Sequence, residues 1–436
     1  MKKKLRLPRF NYFINGLDLI KFFFSLLFSD LSKGKREKKL TLELTQYFNV
    51  KHAGTYSSYR MGLYYYLLSL GLDPDDEVLL TPITIPDAVN IILNLGLKPV
   101  FVDMDEKNHS VCLESLKKSK TKRSKVLIVT HLSGNISDLD EICETGSSLG
   151  LKVVEDFSQA YGCSLNARMA GCFGDIGIGS LSSGKVLTSF TGGIVITNNE
   201  MIFKKMQTLS NHQLTRPPKL RFLNELFDNL KIISATSKIG FRFITYPILN
   251  LIWVYRPNLL KKIHESKYYT RDPGKDVFFD DIPVRRDSIP SSWFTYLSDW
   301  QSSVALQTLK RVDQKNKKRR ELVKIFLENL DQSVLNFIPS SFKKEEGNIY
   351  YHLPLYVPYS RDQFVRKLFK LGIDMDGYGL NLCTDEEVFK DLWSECKVAK
   401  RIKYESVFIP LSESFSVEEV LEMAEIFNKF FKELEV

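Results

Sequence analysis

Between residues 51 and 210, short apolar runs rich in β-branched residues alternate with amphipathic stretches. This rhythm predicts an α/β fold built on a large, mostly parallel sheet. The runs EVLLTPI, KPVFVD, KVLIVTH and LKVVED are apolar almost throughout, as strands buried on both faces require. After residue 290 the order becomes helix, strand, helix, helix, which predicts a smaller C-terminal α+β domain over 291–436.

Residues 1–50 read as a basic, apolar N-terminal arm. They open on Lys2, Lys3 and Lys4, pass through an apolar stretch from Tyr12 to Leu31, and reach the run KGKREKK. No small-residue cleavage site follows and Lys21 interrupts the apolar part, so an interfacial helix or a packing arm is expected rather than a signal peptide. Residues 51–210 form the large domain. RMGLYYYLLSLG (60–71) predicts a helix stopped at Gly71, Asp87–Leu95 another ended at Gly96, and DLDEICETGSSLG a third. Residues 211–290 break the rhythm with Pro217-Pro218, FRFITYPILNLIWVY and a polar stretch around Pro273. Between Arg216 and Lys267 stand ten Lys/Arg against three Asp/Glu, so the segment is apolar and basic together. Two readings stay open for this insertion: a helical hairpin packed on a subunit partner, or a surface that dips into anionic lipid with the N-terminal stretch. In 291–436, one long helix is predicted from Ser298 to Asn329, then the strand YYHLPLYVP, the helix RDQFVRKLFKLG and a closing helix near Ser416.

Composition excludes several classes. The 436 residues are 44% apolar and 26% charged, close to globular averages, and the length suits two or three domains. No apolar stretch reaches the roughly 20 residues of a spanning helix, which rules out a polytopic membrane protein. The net charge is +9, but residues 1–40 alone carry +8, so the body is near neutral and no nucleic-acid partner is expected. Six scattered cysteines outline no disulfide framework and fit reduced thiols in the cytoplasm. Six scattered histidines predict no metal site.

Three local features carry chemistry. VVEDFSQAYG presents Glu155, Asp156 and Gln159 at the carboxyl edge of a parallel strand, where ligands of open α/β sheets gather. GSLSSGKVLTSFTGG places Lys185 in a Ser/Gly-rich turn between two strands. GTYSSYRMGL leads a Ser-containing loop straight into a helix, whose first N–H groups and dipole favour a phosphate. Together they suit pyridoxal 5'-phosphate, which needs a lysine for a Schiff base, a carboxylate for its pyridine nitrogen and a phosphate cradle. Asp156, Lys185, Ser58–Met61 and Ser180 would supply these. Alone, each has a plainer reading: Asp156 as a buried cap, Gln159 as a satisfied core amide, Lys185 as a solvated turn residue. His131 reads as structural or as a support behind the site residues, not as a base. Cys163 and Cys172 lack an acid or base partner, and no nucleophilic role is expected of them.

The chain resembles the DegT/DnrJ/EryC1/StrS family of sugar aminotransferases over 54–210 and 290–436. The matching stretches include SYRMGLYYYLLSLGLDPDDEVLLTP, GLKPVFVDMDE, VVEDFSQAYG, GDIGIGSLSSGK and DWQSSVALQTLKRVDQKNKKRRELV. The resemblance implies a fold-type-I, pyridoxal-phosphate-dependent transferase in which Lys185 is the Schiff-base lysine and Asp156 the partner of the ring nitrogen. It further implies cofactor contacts from Gln159 and Ser180, and from the turn Ser58, Tyr59, Arg60 and Met61, whose backbone and hydroxyls hold the phosphate. Ile85, after Thr84, stands where the family places an aromatic residue over the ring. Phe294 and Tyr296 replace an asparagine and an arginine of the motif that reaches the neighbouring subunit, and Val186–Thr191 replace the stretch after the lysine. Implied partners are an amino donor, most often glutamate, a keto-sugar on a nucleotide diphosphate, and a second copy in a homodimer. Sugar dehydratases of the family carry histidine in place of the lysine, and Lys185 argues against that activity. A rival expectation is a non-catalytic assembly partner in surface-polysaccharide synthesis, peripheral at the inner membrane face.

Overall fold

The computed structural model describes residues 5–10, 12–255, 283–377 and 379–434. Its central sheet has seven strands: β1 (His52–Tyr56), β2 (Glu77–Leu80), β3 (Lys98–Phe101), β4 (Ser124–Thr130), β5 (Lys152–Asp156), β6 (Ile176–Ser180) and β7 (Gly193–Thr197). Their spatial order is β1-β7-β6-β5-β4-β2-β3. The run from β3 to β6 is parallel, and β7 lies antiparallel between β6 and β1. The fold is the α/β architecture that the apolar runs predict.

The helices of seven residues or more are α1 (Gly16–Leu27), α2 (Lys35–Phe48), α3 (Tyr59–Leu70), α4 (Pro86–Asn94), α5 (Leu113–Ser119), α6 (Leu139–Ser148) and α7 (Glu200–Asn211). They continue with α8 (Lys219–Thr236), α9 (Tyr246–Tyr255), α10 (Asp299–Leu309), α11 (Val312–Glu328), α12 (Arg361–Lys370), α13 (Lys397–Glu405) and α14 (Val417–Lys432). Side chains alternate across each strand, so the sheet has two cores. On one face Leu79, Leu127, Val153 and Ile196 meet Leu40 and Leu44 of α2 and Ala305 and Leu309 of α10. On the other, Val78, Ile128, Val154 and Val195 meet Met61 and Leu63 of α3 and Val89 of α4. Gly71 ends α3 at φ 64°, a left-handed position that suits glycine.

The predicted helix over Ser298–Asn329 is two helices. α10 and α11 part at Lys310 and Arg311, because α10 packs in the sheet's core while α11 turns to a second cluster. No glycine or proline marks that break. The second cluster surrounds a hairpin of β8 (Leu353–Tyr356) and β9 (Ser406–Ile409), with α11, α12 and α14 packed on it. The N-terminal chain divides between the two units. Leu5 and Leu7 join the second cluster and Arg9 pairs with Asp374 and Asp376, whereas α2 lies on the sheet. Of the insertion, α8 packs on α1 through Phe222 and Leu226, and Tyr246 at the start of α9 stacks on Phe369. The part around Pro273 lies outside the described residues, as do Lys2, Lys3 and Lys4.

Candidate active site

Parallel strands release their last residues at one edge, and here that edge is polar. β4 ends at Thr130 beside Asp156 of β5, and Asp156 pairs in register with Ile178, two residues before Ser180 at the end of β6. With the start of α3 and the turn carrying Lys185, these ends wall a cavity of about 210 Å³. Of the residues predicted for the site, Ser58, Tyr59, Arg60, Ile85, Asp156, Gln159, Ser180 and Lys185 line it.

Met61 does not. Its side chain is wholly buried in the core between α3 and the sheet, and only its backbone N–H serves the turn, by donating to Ser58 Oγ at 3.3 Å. The N-terminal turn of α3 points its first side chains in different directions, and the one at 61 faces inward.

The Asp156 carboxylate accepts from the Ser158 backbone N–H at 3.0 Å, and Ser158 Oγ accepts from the Ser180 N–H at 2.9 Å. Ser180 Oγ in turn accepts from the Ser182 N–H at 3.3 Å. One chain of hydrogen bonds thus ties the ends of β5 and β6 to the turn before Lys185. Burial pushes the Asp156 carboxyl above the usual carboxylate range, against the hydrogen bonds from Ser158 and the charges of Lys185 and His131. A site that buries a carboxylate in this way favours a cation beside it.

Lys185 stands in a turn whose N–H donates to the Ser182 carbonyl, and its Nζ lies 5.2 Å from the centre of the Tyr351 ring. Tyr351 holds the turn from the other side, its hydroxyl donating to the Gly184 carbonyl at 2.9 Å. The loop that follows is fastened by α10. Thr308 Oγ1 donates to the Thr188 carbonyl at 2.9 Å, and Gln301 Nε2 donates to the Thr191 carbonyl at 3.0 Å. Phe190 adopts φ 71°, unusual for a bulky residue, and is held there by stacking on Trp300 at 5.8 Å.

At the other end of the cavity Ser58 caps α3, and Gly193 of β7 comes so close that a Cβ there would lie 2.3 Å from the Ser58 carbonyl carbon. Only glycine permits that approach. Arg60 lines the wall, but its guanidinium bonds Asp87, with Nε 2.7 Å from Oδ2, and lies over Trp293. Asp87 is shared with Arg286 at 2.7 Å, so two cations flank one carboxylate. The Tyr59 hydroxyl is buried beside Asp156, and burial together with that carboxylate raises its pKa. Gln159 accepts from the Ser133 N–H at 2.8 Å through Oε1, which leaves its amide N–H groups to offer.

Pyridoxal phosphate fits this donor set. Asp156 supplies the buried carboxylate and Lys185 is, among the described residues, the one lysine on the wall. The capped start of α3, with the Ser180 and Ser182 hydroxyls, suits a phosphate.

Ser158, Ser182, Thr84, Thr130, His131, Thr191, Gly192 and Leu380 also line the cavity and were not predicted for it. Ser158 and Ser182 sit inside the two motifs, which is the signal that could have found them. Leu380 comes from far along the chain and had none. Glu155 is a structural carboxylate: it accepts from the N–H groups of Gly171, Phe173 and Gly174 and from His131 Nε2 at 2.9 Å. Burial pushes the Cys163 and Cys172 thiols up to about 12, which leaves them inert near neutral pH.

Comparison with known proteins bears on this arrangement. The model of the DegT/DnrJ/EryC1/StrS aminotransferase family matches residues 25–242 and 288–428. The GDP-perosamine synthase of Vibrio cholerae is 31% identical over 180 residues, 41% of this chain and 49% of that protein. The spore coat polysaccharide biosynthesis protein SpsC of Bacillus subtilis is 31% identical over 186 residues, 43% of this chain and 48% of its own length. The matched region thus spans about half the length of these curated relatives. In structure, an aminotransferase from Psychrobacter cryohalolentis superposes with a TM-score of 0.73 at 20% identity, over 98% of this chain and 100% of that one, a likeness of fold.

Proposed function

Because the chain belongs to the DegT/DnrJ/EryC1/StrS aminotransferase family, we propose that it moves an amino group from an amino acid, with glutamate as donor, to a keto-sugar carried on a nucleotide diphosphate. The observation that carries this reading is Lys185 and Asp156 on the wall of one cavity, with the start of α3 at its end. The names of the relatives, a GDP-perosamine synthase and a spore coat polysaccharide protein, support sugar transamination within polysaccharide synthesis.

When bound, pyridoxal phosphate supplies an electrophilic carbon and an electron sink beside the amino nitrogen. Asp156 would keep a proton on the ring nitrogen, and that cation would offset the burial that otherwise penalises its carboxylate. Lys185 Nζ would anchor the cofactor and, when free, would accept the proton from the donor's α-carbon and pass it on to the cofactor's reactive carbon, the 1,3-shift that amino transfer needs. Ser58 and the α3 amides would hold the phosphate, and Gln159 would help to orient the ring, while Ile85 and Leu380 would exclude water. The non-catalytic reading is not retained, since it gives no reason for a lysine and a buried carboxylate to share a cavity.

The test is spectroscopic. Protein mixed with pyridoxal phosphate should show a visible band that glutamate bleaches and a keto-sugar nucleotide restores; no band in the wild type overturns the reading. The same reading places the protein in the cytoplasm as a homodimer, with peripheral contact to the anionic inner face of the membrane. Six free cysteines suit that reducing compartment.

A further inference from the structure

Most of the large apolar side chains left exposed among the described residues fall in two places: α1, and the stretch from α8 through α9. The two are neighbours, for Phe22 and Leu26 on the inner side of α1 share one apolar cluster with Phe222 and Leu226 of α8. The outer sides stay bare. Phe24 on α1 and Phe28 just after it are 57% and 89% exposed, Phe227 is 62% exposed on α8, and Phe243, in the π-helical segment that leads into α9, is 67% exposed. α9 itself, YPILNLIWVY, holds no charged residue. This far exceeds the scattered apolar residues of an ordinary surface and marks an interaction face.

Charge identifies the occupant. Lys21 is exposed among the α1 phenylalanines, and between 216 and 255 six Lys/Arg stand against two acids; Arg216 and Lys238 also pair with Asp30 and Glu419 from outside that stretch, so the face keeps a smaller but still positive net charge. A two-fold contact with a second copy would set the same patch, and so the same cations, against itself. An anionic bilayer complements both the apolar side chains and their charge. No helix of the described residues is long and apolar enough to cross a membrane, so these helices would lie in the interface.

We propose that α1, α8 and α9 form one docking face for an anionic lipid surface, with their exposed phenylalanines in the headgroup region and the lysines at its rim. This builds on the membrane contact proposed above and is independent of amino transfer. The test uses the full chain and vesicles of phosphatidylglycerol or of phosphatidylcholine. Wild type should co-sediment with the first at least about tenfold more than with the second, in a salt-reversible way. The triple variant Phe24→Ser, Phe28→Ser, Phe243→Ser should lose at least about tenfold in binding, while keeping the cofactor's visible band and its bleaching by glutamate. Equal binding to both lipids, no binding by the wild type, or undiminished binding by the triple variant overturns the proposal. So does a wild-type assembly that the triple variant disperses when neither protein binds vesicles, since the face would then be a protein contact. Loss of the band in the wild type would instead strike the aminotransferase reading alone.

Discussion

Replacing Asp87 by asparagine leaves two guanidinium groups facing each other without the carboxylate between them. Arg60 Nε and Arg286 Nε each lie 2.7 Å from an Asp87 oxygen, and the three side chains are 11%, 14% and 4% exposed. At an effective dielectric constant of about 20, each ion pair gains roughly 4 kcal/mol at a charge separation of about 4 Å. The guanidinium carbons lie 5.3 and 5.2 Å from the centre of the same Trp293 ring. They are therefore within about 10 Å of each other and repel by roughly 2 kcal/mol or more at that dielectric. Desolvation already offsets part of the attraction, so the expected cost of Asp87→Asn is about 3–5 kcal/mol. Urea denaturation of cofactor-free protein measures it, as a lower midpoint with an unchanged slope. Adding Arg60→Gln should recover about 2 kcal/mol, because it removes one of the two like charges. A cost under about 1 kcal/mol, or no recovery in the double variant, would show that water rather than Asp87 balances these cations.

Other consequences can be measured on the same material. Burial raises the Asp156 carboxyl, so its ionised form costs stability at neutral pH when no cofactor is bound. Cofactor-free Asp156→Asn should melt above wild type at pH 7, with the gap narrowing on acidification and closing below the ordinary carboxylate value of 3.8, and should bind pyridoxal phosphate far more weakly. His109 is wholly buried and pushed down to about 3 by that burial. The unfolded chain takes up a proton below about pH 6.5 that the folded one refuses, so this residue removes about 1.4 kcal/mol of stability per pH unit between there and about pH 3. His109→Gln should reduce the fall in unfolding free energy, measured by urea titration, between pH 6.5 and pH 5 by about 2 kcal/mol; an unaltered slope would mean that the imidazole is protonated in the folded state.

Local signals predicted what local physics decides. The strands are visible because both faces are covered, and α3 ends where Gly71 takes a left-handed conformation. Asp156, Ser180 and Lys185 could be found because a strand end and a Ser/Gly turn place them a few residues from the motifs that mark the sheet edge. Long-range packing decided the rest. Arg60 reads as a phosphate ligand in the sequence, whereas in the fold its guanidinium pairs with Asp87, a carboxylate that Arg286, distant in the chain, shares. Met61 lies in the same turn as Ser58, yet helix geometry rotates it into the core. The division of one predicted helix into α10 and α11 follows from two cores competing for its halves, with no breaker residue to announce it.

The central claim is that the Lys185 amine bonds to pyridoxal phosphate held opposite Asp156. Borohydride reduction of the loaded protein, followed by peptide mass analysis, tests it most directly. The peptide containing Lys185 alone should gain the mass of the reduced cofactor, and Lys185→Ala should gain none. Label on another lysine, or on no peptide at all, would contradict it.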